Sequence, residues 1–150
     1  MPEQHRSSQR SMERTNDMKY TWLDAYLKEK PGVTSDLQKE WNWIRYHIGG
    51  KMFAAVCRND FDEPVFITLK LEPSWGEFMR KQYEDIIPGY YMNKVHWNSI
   101  KADGEVPDDV LKDLLDRSYQ TMLSGLSKKK QKEILEEKIS SAGRRNSDGI

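Results

Sequence analysis

The side chains best suited to chemistry lie together between Tyr90 and Trp97. Asn93, Lys94 and His96 are polar residues set among Tyr90, Met92 and Trp97. A lysine is a phosphate ligand, an asparagine can bind a base edge or a phosphate, and a tryptophan or histidine ring can stack. The same residues also have a plainer use. Asn93 can hold a tight turn through its short side chain, His96 can donate to a backbone carbonyl, and Trp97 can be core. Lys51 follows Gly49-Gly50, and Arg45 lies shortly before it. Close to Lys94 in the fold, they would form a basic patch; otherwise they are scattered solvated charges. The run Lys128-Lys129-Lys130, with Lys132, can touch nucleic acid or simply form a solvated helix end. Gly49-Gly50-Lys51 is not a phosphate loop, because it lacks the longer glycine-rich spacing and a Ser or Thr after the lysine.

Other chemistries are poorly supplied. The histidines are His5, His47 and His96, and no local spacing suits a zinc site. The single cysteine, Cys57, ends an apolar run and reads as a small buried hydrophobe rather than a nucleophile. Alone, it cannot form an internal disulfide. Asp108 and Asp109 fit the positive end of a helix better than an acid–base pair. The expectation is no enzyme, no catalytic residue, no metal and no cofactor.

Charge narrows the partners. The chain has 150 residues, with 24 Lys plus Arg against 24 Asp plus Glu, so the formal net charge is zero. A uniformly basic nucleic-acid coat is excluded. Residues 17–125 hold 14 basic and 18 acidic residues, whereas residues 126–150 hold seven basic and four acidic. The body is mildly acidic and the C-terminal extension is basic. Phosphate contacts supply much of the affinity of DNA binders, so a DNA site requires the body's positives to gather on one face. There is no apolar run of 18 residues to span a membrane. The N-terminus is polar where a signal peptide would be apolar. A cytoplasmic location with no membrane partner is expected.

The elements that must position these residues follow from periodicity. Trp22, Leu23, Tyr26 and Leu27 form one stripe, so a helix is expected over Thr21–Lys30, capped by Thr21 with Asp24 and stopped by Pro31-Gly32. Thr34–Lys39 reads as polar linker. Strands are expected over Trp41–Ile48, Lys51–Arg58 and Val65–Lys70. In the first, Trp41, Trp43, Arg45 and His47 share one face, and Asn42, Ile44, Tyr46 and Ile48 share the other. Gly49-Gly50 fits a two-residue hairpin turn, because glycine tolerates positive φ at both positions. A second helix is expected over Ser74–Tyr83, with Trp75, Phe78, Met79 and Gln82 on its face. Tyr90–Ile100 reads as two short strands around Asn93-Lys94, or as one strand with an irregular start. The last main helix spans Pro107–Leu123, with a stripe of Val110, Leu111, Leu114, Leu115, Tyr119, Met122 and Leu123. Lys128–Ile139 suggests a further short helix. The order α-β-β-β-α-β-β-α implies an α+β class, with a largely antiparallel five-stranded sheet and three main helices. Trp97 and the Leu111, Leu114, Leu115 stripe are expected in the core. Residues 1–17 and the end of 126–150 are expected to be disordered tails around one domain at 18–125, with Met12 and Met18 as alternative starts.

Four strings carry a family resemblance: PGVT at Pro31–Thr34, IGGKMFA at Ile48–Ala54, PGYYMNKVHWNSI at Pro88–Ile100 and VPDDVLKDLLDRSY at Val106–Tyr119. The chain resembles the MmcQ/YjbR family of small bacterial proteins over roughly residues 18–130. The resemblance implies a compact α+β fold of the double-wing kind and a non-catalytic, DNA-binding role. One departure is local. Many relatives have an aromatic-Pro-x-Gly turn before the first strand, where this chain has Gln38-Lys39-Glu40-Trp41.

Two functions follow. In the first, the protein is a monomer that binds DNA mainly through phosphate, using Arg45, Lys51, Asn93, Lys94, His96, Lys128, Lys129 and Lys130, with Trp97 alongside. In the alternative it is a protein- or peptide-binding adaptor that uses exposed aromatics of the sheet, around Trp41, Trp43 and Tyr46.

Overall fold

A computed structural model of the chain describes residues 19–90 and 92–136. The expectations of disordered tails, of alternative starts at Met12 and Met18, and of a helix continuing to Ile139 fall outside the described residues. In chain order the elements are α1 Leu23–Lys28, β1 Val33–Gln38, β2 Trp43–Ile48, β3 Lys51–Arg58, β4 Pro64–Lys70, α2 Pro73–Gln82, β5 Ile86–Pro88, β6 Trp97–Lys101 and α3 Asp108–Ser124. Residues 128–136 form a further helix, α4.

The strands form one six-stranded sheet in the order β1-β2-β3-β4-β6-β5, and every neighbouring pair is antiparallel. The α+β, largely antiparallel class stands, but the five-stranded order does not. The extra strand is β1, where the sequence suggested a linker. Its residues are Val-Thr-Ser-Asp-Leu-Gln, and it pairs with β2 from Val33↔Ile48 to Gln38↔Trp43. As an edge strand it needs no apolar face of its own; ladder hydrogen bonds to β2 and polar outward side chains suffice.

The second correction lies at the other edge. β5 ends at Pro88 and β6 begins only at Trp97, so the reading of two strands around Asn93-Lys94 fails and that of one strand with an irregular start fits. Between them Asn93 Oδ1 accepts from the backbone N–H of Val95 at 2.8 Å, an Asx turn that removes the segment from the ladder. Two smaller corrections concern α1 and α2. The first helix begins after Trp22 with no side-chain cap, and Asp24 instead accepts the Tyr46 hydroxyl at 2.7 Å. On α2, Phe78 is exposed and stacks on Trp75 at 5.3 Å.

The helices lie against one face of the sheet. Leu23 and Leu27 from α1, Met79 from α2, and Leu111, Leu114, Leu115, Tyr119 and Leu123 from α3 are buried there. They meet Tyr46, Ile48, Val56, Ile67, Leu69 and Ile100 from the strands. Burial of each large aliphatic side chain contributes roughly 1.5–3 kcal/mol. Tyr46 thus belongs to the core, not to an exposed aromatic face. The stripe on α3 is interrupted by a buried serine with a definite task. The β2–β3 pairing passes from Tyr46↔Ala54 to His47↔Met52, so Phe53 is the extra residue of a bulge. Ser118 Oγ donates to the Phe53 carbonyl at 2.8 Å and accepts from the Lys70 N–H at 3.2 Å. The helix therefore satisfies backbone groups that the bulge leaves out of the ladder.

Gly49-Gly50 forms the β2–β3 turn, with φ of +58° and +79°. A Cβ at Gly49 would lie 2.8 Å from the Leu126 methyls, so Leu126 packs directly on the turn, while the positive φ is what favours glycine there. Gly32 stands in the same relation to Ile134 of α4. The segment 126–136 therefore packs across the two turns at one end of the sheet.

Candidate nucleic-acid interface

The register divides the candidate residues between two ends of the sheet. The hairpin end carries the Gly49-Gly50 turn and the start of β3. Because Ala54 pairs with Leu69 and Lys70 pairs with Trp97, the end of β4 and the start of β6 lie at this same end. So does Pro88, opposite Asn98. The topology thus brings Lys51, Lys94 and His96 to one end, and the packing of Leu126 on Gly49 adds Lys128, Lys129 and Lys130. Lys51 and the start of β6 stand two strands apart, about 10 Å.

These side chains are exposed. Among the described residues, Lys51, Lys128 and Lys129 form no ion pair, while Lys130 lies 4.0 Å from Glu133. Lys94 Nζ donates to the Gly89 carbonyl at 2.9 Å, which holds its ammonium close to the loop. Asn93 uses its carbonyl oxygen for the Asx turn, leaving its amide N–H groups to face outward. His96 gives its backbone carbonyl to the Leu71 N–H at 2.8 Å, and its ring is exposed. Trp97 is half-buried rather than core, because it takes an outward position on β6.

Arg45 lies elsewhere, in the middle of β2. Its guanidinium donates two 2.8 Å bonds to the Asp36 carboxylate on β1, directly opposite. That bidentate pair holds the Asp36 carboxyl below the usual carboxylate range. Sequence reading missed Lys70. It is the last outward position of the alternation Phe66, Thr68, Lys70, and its pairing with Trp97 places it at the hairpin end.

The opposite end of the same outward face is different. There the turns hold Glu40, Asp60, Asp62, Glu63, Asp85 and Asp103 against Lys39, Arg58 and Lys101. Lys101 is 3.9 Å from Asp85. An open cleft of about 670 Å³ is lined by Trp41, Trp43, Arg58, Asn59, Asp60 and Met92. Trp41 sits 52% exposed, edge-on to Trp43 at 5.2 Å. Met92 reaches this cleft because its loop folds back over the sheet. Tyr90 stacks on Phe66 at 5.2 Å, and its N–H donates to Ser99 Oγ. Ser99 in turn bonds Thr68, and Thr68 lies 3.5 Å from Cys57 Sγ. Burial pushes the Cys57 thiol up to about 11. A thiol so placed is a packed side chain, not a nucleophile.

Among the described residues no group of three or more His, Cys, Asp or Glu is placed to hold a metal ion. Nor is any described helix long and apolar enough to cross a membrane.

The strings noted in the sequence now sit where the geometry uses them. IGGKMFA forms the hairpin end, and PGYYMNKVHWNSI forms the loop and β6. A model of the YjbR family matches residues 28–121. The chain belongs to the YjbR family. It is 29% identical over 114 residues to the uncharacterised protein YjbR of Escherichia coli (strain K12), covering 76% of this chain and 95% of that protein. It is 35% identical over 89 residues to the uncharacterised protein YbdF of Escherichia coli O157:H7, covering 59% of this chain and 71% of that one. The crystal structure of Deinococcus radiodurans protein DR2400, family-model domain DUF419, is similar at 28% identity with a TM-score of 0.69, over 81% of this chain and 91% of that chain. The YjbR match ends within α3, so the lysine run 128–130 lies beyond it.

Proposed function

We propose that the protein is a non-catalytic, monomeric DNA-binding module that contacts phosphate with the hairpin end of its sheet. Lys51, Lys94, Lys128, Lys129 and Lys130 make the contacts, with Lys70 behind them and Asn93 and His96 at the margin. The observation that carries this reading is the gathering of these side chains at one end of a chain whose net charge is zero. Membership of the YjbR family supports it. The contacts are sequence-independent, because lysines on phosphate carry no base information.

The test is an anisotropy titration of duplex DNA at two salt concentrations. With three to five lysines engaged, the log–log salt slope is about −3 to −4.5. A Lys51/Lys94 double-alanine variant should lower its magnitude by roughly 2. Absence of saturable binding at low salt ends the DNA reading; binding unchanged in the variant moves the site to Lys128–Lys130.

A second reading, a peptide-binding adaptor, is favoured by the cleft beside Trp41 and Trp43. Its volume of about 670 Å³ and its aromatic wall would accommodate a peptide side chain.

A further inference from the structure

We propose that the cleft receives an arginine side chain of a partner peptide, its guanidinium stacked on the Trp41 indole and bound by the Asp60 carboxylate. The inference rests on the adaptor reading and is independent of DNA binding.

Trp41 is half-exposed, and its edge-to-face contact with Trp43 steadies the ring. Among the described residues, Asp60 is exposed and takes part in no hydrogen bond or ion pair. Arg58 lines the same cleft, and it and Lys39 are outnumbered by the nearby Glu40, Asp60, Asp62 and Glu63. The Arg58 Nη2 donates to Asn42 Oδ1 at 2.7 Å and lies 3.9 Å from Asp62. The surrounding turns are acidic, a field that attracts a basic partner.

The chain itself contains the completed form of this arrangement. The Arg117 guanidinium lies 4.1 Å from the Trp75 ring centroid while its Nε donates to Asp113 at 2.8 Å. Lys112 also lies 4.9 Å from the Trp22 ring, in this case without a carboxylate partner among the described residues. Trp41 has a carboxylate in its cleft but, among the described residues, no cation over it. Arginine fits better than lysine, because a planar guanidinium can stack on an indole and bind a carboxylate through two N–H groups at once. The cleft is larger than one guanidinium requires, so apolar neighbours of the arginine would rest on Met92.

The experiment titrates the full-length protein with three capped tripeptides, Leu-X-Leu, in which X is arginine, norleucine or glutamate. The indole N–H resonances and tryptophan fluorescence report binding. The arginine peptide should saturate, and Asp60→Asn and Trp41→Leu should each weaken it by about two- to fivefold. Both variants should keep the backbone spectrum of the folded protein. Equal binding of the norleucine peptide, or stronger binding of the glutamate peptide, overturns arginine as the occupant while leaving an adaptor. Binding of none of the three, either to the wild-type chain or to a variant with Arg6, Arg10 and Arg14 changed to glutamine, overturns the adaptor reading as well. The chain's own Arg6, Arg10 and Arg14 are possible competitors. If the arginine peptide binds only after all three are changed to glutamine, the occupant is this chain and the partner is refuted.

Discussion

At the hairpin end of the sheet, lysines project from a glycine turn, a loop and an added helix, and among the described residues Lys51, Lys128 and Lys129 have no ion-pair partner. At the far end, acidic turns surround a cleft with two tryptophans in its wall. Both ends belong to one antiparallel sheet on one core. The difference shows why a net charge is a weak guide to partners. Residues 17–125 carry a net of −4, which counts against DNA when averaged. Antiparallel topology does not average. It sends alternate connections to opposite ends, so acids and bases of interleaved turns separate in space. A polyanion meets the lysine end at low cost because the acidic turns stand a strand's length away, beyond about one Debye length at physiological salt.

The largest expected effect tests whether the two ends share one foundation. Leu115 is fully buried on α3, which packs against β3 and β4 in the middle of the sheet. Leu115→Ala should cost about 2–5 kcal/mol of stability, a large fraction of a small domain's total. DNA binding and cleft binding should then be lost together on warming, in one transition seen by circular dichroism. Separate loss of the two would mean that the ends are independently stable; a cost below about 1 kcal/mol would mean that Leu115 is not where its burial places it.

Charge reversal at the ends comes next. Lys51→Glu with Lys128→Glu should reduce DNA affinity by at least about tenfold near physiological salt. Glu40→Gln with Asp62→Asn, at the far end, should change it by less than about twofold, because exposed charges a Debye length away are screened. An equal response from the two pairs would erase the comparison. Affinity should be measured at matched salt for both.

Much of this arrangement is legible in the sequence, and the failures have physical causes. The hairpin was legible because Gly-Gly between two apolar runs permits few other structures. β3, β4 and α3 were legible because their burial imposes a period on the sequence. β1 was not, because an edge strand is held by backbone bonds and its Thr, Ser and Asp show no period to read. The 90–96 loop misled in the opposite direction. Its Tyr and Val favour strand, but one Asn93 side chain diverts the backbone. The lysines of the candidate site were named from their types, yet only the register shows that they share an end. Asp60 and Met92 were invisible as cleft residues, since no local pattern links positions brought together by topology alone.

Alkaline titration examines the packing beneath the cleft. Cys57 is buried beside Trp43, and burial raises its thiol from 9.0 to about 11. The folded state thus holds the proton more tightly than the unfolded state. The corresponding stability is complete below pH 9 and is lost as pH rises toward 11, on the order of 1 kcal/mol by pH 10. Urea unfolding at pH 7, 9 and 10 should show this decline, and Cys57→Ala should make it shallower. Tyr20 and Tyr26, pushed up from 10.0 to about 12, and the raised Tyr46 and Tyr119 add a decline of the same sign that begins near pH 10, so the difference between wild type and Cys57→Ala isolates the thiol. An equal decline in the two proteins between pH 9 and 10 would mean that water reaches the thiol and that the loop carrying Met92 does not close over it.

The smallest effect concerns Arg45, which lies between the two ends. By residue type it belongs with the lysines, but its guanidinium is bidentate on Asp36. A phosphate would have to compete with a carboxylate already held in the geometry that guanidinium prefers. Arg45→Ala should therefore leave the salt slope of DNA binding unchanged, where loss of a true phosphate contact would lower its magnitude by about 0.9. The pair is exposed, so its removal should leave the urea midpoint almost unchanged. Asp36→Asn is the sharper variant. It releases the guanidinium without removing it, and it should increase DNA affinity only if the middle of β2 lies within reach of the duplex. A drop in salt slope for Arg45→Ala together with a gain for Asp36→Asn would extend the phosphate surface from the hairpin end across the sheet. No change in either confines that surface to the lysines.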